Sequence, residues 1–206
     1  MNYDNISADN HIDSRWLPKN LWQERVASRF KEAAPKVVET DKGSFWSWEG
    51  KTRGEAADGS SNAKLIKQFF PTVEVPAGSL PPSDPKLALK HLDLSRTWAG
   101  VYYADTRKWG VADDALRREI YRVYNDFVTE LNANDPDRLC YLPNMPTFAP
   151  EICEPELRRL IDKGAKAVEF GCYDVAKPIY DKAWDPLFGL AAEAGIPLCC
   201  HVGDGA

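Results

Sequence analysis

A repeated order of strand, helix, glycine and strand is the feature that most constrains the fold of this chain. Strands are predicted by short apolar runs at 99–104 (AGVYYA), 138–143 (RLCYLP), 165–170 (AKAVEF) and 196–202 (IPLCCHV). Helices are predicted before the last three runs by apolar residues at helical spacing, at 114–131, 154–163 and 184–194. Gly164 and Gly195 follow the second and third of these helices, as expected for helix ends. The repeat of roughly 30 residues is typical of parallel α/β folds.

This repeat alone does not distinguish a (β/α) barrel from a doubly wound open sheet. A glycine-rich phosphate loop would favour the open sheet, but the sequence contains neither GxGxxG nor a GxxxxGKS or GxxxxGKT motif. We therefore expect an α/β fold of the TIM-type (β/α) barrel, in which this chain provides the first five βα units only.

The region between the first two barrel strands is too long for a single βα connection. An earlier strand is expected at 5–8, just before Asp9, and the next predicted strand begins only at residue 99. Segments 36–40 and 44–48 flank a glycine turn and predict a small β-hairpin. Segments rich in turn residues, at 54–62 and 71–85, are expected to be surface loops. We interpret residues 12–98 as an insertion that caps one end of a single barrel domain spanning 1–206.

Composition argues against several classes of partner. The chain is 44% hydrophobic and carries a formal net charge of −5, with acidic and basic residues interspersed, so no basic stripe suits nucleic acid. No apolar stretch approaches the roughly 20 residues of a membrane span, and the N-terminus lacks signal-peptide features, so a cytoplasmic location is expected. Reduced thiols are expected because the cysteines are odd in number and form no CxxC pair. They are Cys140, Cys153, Cys172, Cys199 and Cys200.

Three polar residues at predicted strand ends are candidate metal ligands. Asp9 and His11 are two positions apart, so strand alternation directs both side chains to one face. His201 ends the last predicted strand, and all strands of a (β/α) barrel present their carboxyl ends on one side. Oxygen and nitrogen donors suit Zn²⁺, Mn²⁺ or Fe²⁺ better than Ca²⁺ or Mg²⁺. Two simpler readings remain open: the Asp-Asn-His segment as a turn, and His201 as a hydrogen-bonded core residue.

Other residues are weaker candidates for binding or chemistry. Trp16 follows the first pair of candidate ligands closely and is the preferred aromatic pocket residue. Glu169 lies near a predicted strand end, where it either contacts substrate or faces outward. Asp204 is a candidate substrate contact within a glycine-rich turn. Cys172 lacks a local histidine partner for nucleophilic chemistry, and His91 is expected to be a surface or capping histidine.

An ordered set of short motifs spans nearly the whole chain. They are ISADNH at 6–11, LW at 21–22, APKVVE at 34–39, YNDF at 124–127, DPDRL at 135–139, ELRR at 156–159, WDPL at 184–187 and GIPL at 195–198. Together they resemble the amidohydrolase-related family that includes aminocarboxymuconate semialdehyde decarboxylase. The resemblance implies a barrel with one divalent metal, Zn²⁺ being the first choice. It assigns Asp9 and His11 to the first-strand ligands and His201 to the fifth-strand ligand.

The resemblance also implies an activity on a small-molecule substrate, a carboxylate or a cyclic or aromatic compound. Hydrolysis by a metal-activated water is the first choice, and nonoxidative decarboxylation is the alternative. The preference is slight, because the D-x-H pattern does not decide between the two reactions. The catalytic histidine and the metal-binding aspartate that the family takes from later strands have no counterpart in this chain, so its catalytic residue is unassigned. Five strands leave open sheet edges, so we expect a longer gene product, a homo-oligomer or a second chain that completes the barrel. The competing class is a noncatalytic half-barrel that serves binding or assembly.

Overall fold

The computed structural model describes residues 3–56, 62–71, 73–104, 109–171 and 175–201. Its strands are β1 (Asn5–His11), β2 (Lys36–Thr40), β3 (Gly43–Trp48), β4 (Lys51–Glu55), β5 (Thr97–Tyr103), β6 (Leu139–Tyr141), β7 (Val168–Glu169) and β8 (Leu198–Cys199). Its α-helices are α1 (Leu21–Arg25), α2 (Asn62–Phe69), α3 (Pro85–Leu94), α4 (Asp114–Asn132), α5 (Pro150–Asp162) and α6 (Asp185–Ala194). None of the described helices is long and apolar enough to cross a membrane.

The strands predicted from the repeat form parallel sheets. β5 pairs in parallel with β1 on one side and with β6 on the other, and β7 pairs in parallel with β8. A parallel bridge between Asn144 and Glu169 joins the two sheets. The helices α4, α5 and α6 lie in the sequence between successive strands from β5 to β8. The structure therefore confirms an α/β fold with parallel strands connected through helices.

The region between β1 and β5 is more regular than the sequence indicated. β2, β3 and β4 form an antiparallel sheet, and β3 turns into β4 through Glu49 and Gly50, both with positive φ (51° and 70°). Two positive φ values are typical of the tight turns that match strand twist. The loop predicted at 54–62 is wrong at its start, because residues 54 and 55 belong to β4.

Helix α3 lies inside the region interpreted as an insertion and leads directly into β5. Pro85 occupies its first turn, where no backbone donor is needed, and the Asp84 carboxylate accepts hydrogen bonds from the N–H groups of Lys86 and Leu87 at 2.9 and 3.2 Å. These caps define the helix start locally. The sequence analysis did not predict this helix, because the proline-rich composition of 71–85 is typical of a loop up to the first helical residue.

Buried tryptophans form the centre of the larger hydrophobic core. Trp22 and Trp109 have ring centroids 4.1 Å apart, and Trp46 and Trp48 lie 5.3 and 4.9 Å from Trp109. All four side chains are at most 4% exposed. Trp46 and Trp48 therefore pack the three-stranded sheet onto the rest of the domain.

Asn125 connects α4 to the loop that follows β6. Its side-chain amide donates to the Asn144 carbonyl at 3.0 Å and to the Glu156 carboxylate at 2.7 Å. Its carbonyl oxygen accepts the Asn144 N–H at 2.7 Å. Asn125 is fully buried, and Asn144 pairs with Glu169 of β7. This single side chain thus stabilises the junction at which the two parallel sheets meet.

Candidate metal centre

The end of β1 carries an irregularity next to the first candidate ligands. In the register with β5, Ser7 pairs with Gly100 and Asn10 pairs with Tyr102, so three steps along β1 match two along β5. An extra residue of this kind is a β-bulge, which changes the direction of nearby side chains. Asp9 lies within the irregular stretch and His11 just after it, yet their side chains meet, with His11 Nε2 3.4 Å from Asp9 Oδ1.

His201 reaches the same point from the other end of the chain. It follows β8 by two residues, and its Nε2 lies 3.1 Å from Asp9 Oδ1. The His11 and His201 rings are nearly perpendicular, at 85°, with centroids 4.9 Å apart. One ligand atom from each of the three residues lies within 4.8 Å of the others. The structure therefore brings together the three residues that the sequence analysis selected.

The donor set and geometry of this cluster fit a divalent cation. Ligand atoms about 2.0–2.2 Å from a tetrahedral ion are roughly 3.3–3.6 Å from each other. The two distances to Asp9 Oδ1, 3.1 and 3.4 Å, are close to that separation. The Asp9 side chain is 68% exposed and His201 is 22% exposed, so an ion can reach the cluster from solvent.

Two residues beside the cluster were not selected from the sequence as parts of the site. The Asp13 carboxylate lies 3.2 Å from His11 Nδ1, on the opposite side of the ring from Asp9. Tyr103 pairs with His11 in the β1–β5 register, and its ring centroid is 4.9 Å from that of His201. Burial, together with the nearby Cys199, raises the pKa of the Tyr103 hydroxyl to about 12. Asp13 could have been selected from the sequence, because it lies two positions after His11. Tyr103 could not, because its place beside His11 depends on the register between β1 and β5.

Glu169 is buried where the strands converge. Only 1% of the residue is exposed, and its Oε2 accepts hydrogen bonds from Asn144 Nδ2 at 3.3 Å and from the Ala104 N–H at 3.5 Å. The side chain therefore does not face outward, and its contact with substrate stays a prediction. The carboxylate connects β7 to the segments that follow β5 and β6.

Trp16 lines a pocket of about 460 Å³ that is also bordered by Asp9 and His11. Its ring packs edge to face on Phe70, at 6.0 Å between centroids. His91 continues this aromatic wall, with its ring 5.0 Å from that of Phe70. A pocket of this size is within the range of small-molecule sites.

The expectation that His91 is a surface or capping histidine is wrong. The residue is partly buried on the inner side of α3, and burial lowers the pKa of its imidazole. Its Nδ1 is inaccessible and makes no hydrogen bond within the described part of the chain. The sequence analysis missed this position because α3 itself was not predicted, so no helix face was available for assigning His91.

Two of the sequence candidates, Asp204 and Cys172, lie outside the described residues. Cys140, Cys153 and Cys199 form no disulfide bond within the described part of the chain.

Solved structures with a similar fold include an amidohydrolase, a decarboxylase and a hydratase. An amidohydrolase from Mycobacterium avium subsp. paratuberculosis K-10 is 18% identical with a TM-score of 0.72, covering 99% of this chain and 60% of its own. A dihydroxybenzoic acid decarboxylase from Polaromonas sp. JS666, with bound manganese and an inhibitor, is 17% identical with a TM-score of 0.56, covering 100% and 51%. A 4-oxalomesaconate hydratase from Rhodopseudomonas palustris is 17% identical with a TM-score of 0.54, covering 96% and 52%.

These similarities establish the fold and its extent. The chain spans about half to three fifths of the length of the three structures, and its fold fits the N-terminal half of an amidohydrolase-like enzyme. No protein-family model and no curated protein sequence matches the chain. At 17–18% identity the shared property is the fold, while the neighbours differ in their named reactions.

Proposed function

We propose that this chain is the N-terminal part of a metal-dependent hydrolase of the amidohydrolase superfamily, in which Asp9, His11 and His201 hold one divalent ion. The observation that carries the proposal is the meeting of His201 with Asp9 across 192 positions of sequence. Such a convergence at parallel strand ends is where (β/α) barrels carry their active sites. The five parallel strands in chain order support a partial barrel as the scaffold.

The three residues divide the work of holding the ion. His11 and His201 offer neutral nitrogen lone pairs, and Asp9 offers one negative oxygen. Zn²⁺ is the proposed ion, with Mn²⁺ and Fe²⁺ as alternatives, since all three accept this donor set. A similar decarboxylase contains manganese. When bound, such an ion supplies Lewis acidity and lowers the pKa of a water molecule to about 7.

The substrate is proposed to be a small organic carboxylate or cyclic compound that enters beside the three ligands. Trp16 and Phe70 provide an apolar wall for a ring in the adjoining pocket. Glu169 is proposed to act indirectly, because its hydrogen bonds hold the converging strand ends. Nonoxidative decarboxylation of such a compound is the second candidate reaction, and the similarity to a dihydroxybenzoic acid decarboxylase favours it.

Further strands are proposed to complete the barrel at the outer edges of β1 and β8. Within the described residues, β1 pairs only with β5 and β8 only with β7. Ile6 on β1 is 67% exposed, which is unusual for an apolar strand residue. The additional strands would come from a longer chain, a second copy or another protein.

Metal binding by the purified 206-residue chain tests this proposal. We expect one Zn²⁺ or Mn²⁺ per chain in a chelator competition. His201→Ala should weaken binding by more than the roughly 10–100-fold that loss of an indirect contact causes. His91→Ala is the matched control, because His91 is the one histidine outside the cluster and should leave the affinity unchanged. If the chain binds no ion, or if His201→Ala binds as well as the parent, a noncatalytic half-barrel is the better description.

A further inference from the structure

The His11 ring lies between two carboxylates. Its Nε2 faces Asp9 Oδ1 at 3.4 Å, and its Nδ1 faces Asp13 Oδ1 at 3.2 Å. Asp9 belongs to the candidate metal cluster, whereas Asp13 does not. The two carboxylates therefore contact the imidazole from opposite sides and leave different roles to its two nitrogens.

The backbone on either side of Asp13 is held in place. The neighbouring Ile12 is fully buried, and its N–H donates to the Tyr103 carbonyl at 2.8 Å. The Asp13 carbonyl accepts the Trp16 N–H at 2.8 Å, which closes the short turn that follows. The carboxylate thus starts from a backbone position that both strand pairing and a turn determine. Its contact with His11 does not depend on a mobile loop.

We infer that Asp13 is a positioning residue that orients His11 for the proposed metal ion, an inference that rests on the proposed function. An imidazole that offers its Nε2 lone pair to a cation carries its proton on Nδ1. A carboxylate that accepts this Nδ1–H selects the required tautomer and restricts rotation of the ring. Asp13 is the described residue whose carboxylate contacts Nδ1, so it performs both tasks.

Substitutions at Asp13 separate orientation of the ring from the effect of a nearby negative charge. Asp13→Ala removes both the acceptor and the charge, whereas Asp13→Asn removes the charge and keeps an oxygen acceptor of the same shape. Asp41→Asn removes one charge from an exposed turn far along the chain and is the control. Thermal unfolding of each variant establishes that the fold is retained, and Asp13→Asn serves if Asp13→Ala does not fold.

The measurements are Zn²⁺ affinity by chelator competition and the NMR resonance of the His11 Nδ1–H in the zinc-loaded chain. We expect Asp13→Ala to bind Zn²⁺ about tenfold more weakly, the low end of the usual range for such contacts. The low end applies because the Asp13 side chain is 39% exposed and water partly replaces it. The Nδ1–H resonance should be lost by exchange in Asp13→Ala and kept in Asp13→Asn. The Zn²⁺ affinity of Asp13→Asn should lie between those of the parent and Asp13→Ala.

Each result supports or overturns the inference. Zinc affinity of Asp13→Ala within about twofold of the parent, with the Nδ1–H resonance retained, overturns it while leaving the proposed function intact. Equal weakening by Asp13→Asn and Asp13→Ala, with the resonance lost in neither, assigns the effect to charge and also overturns it. Absence of zinc binding by the parent chain overturns both this inference and the proposed function.

Discussion

Replacement of Asn125 tests whether one buried side chain holds the two parallel sheets together. Asn125→Ala removes the two bonds that this side chain makes to the Asn144 backbone and its bond to Glu156. The Asn144 residue is 3% exposed, so water cannot readily replace the missing partner. Glu156 keeps its contacts with Arg159 and loses less.

The expected destabilisation follows from the groups left without this partner. A buried donor or acceptor without a partner costs about 1–3 kcal/mol, and the Asn144 backbone contributes one of each. We therefore expect the free energy of unfolding to fall by about 3 kcal/mol, a large part of the 5–15 kcal/mol typical of a domain. For a chain of this length the same loss lowers Tm by about 6–12 °C.

Urea denaturation of the parent and the variant measures this loss, with the m value expected to stay constant. Zinc affinity should also fall, because the junction positions β8 and hence His201 relative to β1. Asn125→Asp is a second variant that keeps one acceptor but places a charge beside Glu156, and it should be less stable than the parent. Asn134→Ala is the control, since Asn134 is exposed near the end of α4 and its side-chain amide donates to the Glu130 and Leu131 carbonyls, where water can replace it. A loss below about 1 kcal/mol for Asn125→Ala would refute the reasoning.

Three further predictions concern the core and the titrating groups. Leu157→Ala, at a fully buried position of α5, should lower the free energy of unfolding by about 2–5 kcal/mol in urea denaturation, and a loss below about 1 kcal/mol would contradict the assigned packing. Burial alone would raise the pKa of Asp126, but hydrogen bonds from Lys163 and Arg159 lower it below its ordinary value of 3.8. The ionised carboxylate therefore stabilises the folded chain above pH 3.8, and this stabilisation is lost as the pH falls through the folded-state pKa. Asp126→Asn should accordingly be less stable than the parent at pH 7, and the difference should shrink in acid; a constant difference would argue against the ion pairs. Burial lowers the pKa of His91 below its ordinary value of 6.5, so protonation of this imidazole favours the unfolded chain. The stability of the parent should therefore decline as the pH falls below 6.5. Thermal unfolding measured across this pH range should show a smaller decline for His91→Gln.

Local patterns in the sequence were sufficient for α4, α5 and α6 and for the order of the parallel strands, but not for α3. The 114–131 periodicity corresponds to α4, at Asp114–Asn132, because an amphipathic face repeats within the helix itself. Gly195 ends α6 with a left-handed φ of 67°, as its place after the apolar pattern predicted. The start of α5 was predicted four residues late, since Pro150 and Pro155 both lie within the helix and weaken its pattern.

What the sequence by itself determined is therefore the set of parallel elements and the choice of Asp9, His11 and His201. The spacing of Asp9 and His11 is a local property of one strand. His201 was added by the rule that parallel strands of a barrel end on one side. Only the tertiary structure decided that Asp13 faces His11, that His91 borders a pocket and that Asn125 connects the two sheets. The physical reason is that these relations depend on side-chain direction and on contacts between distant segments, which no local periodicity encodes.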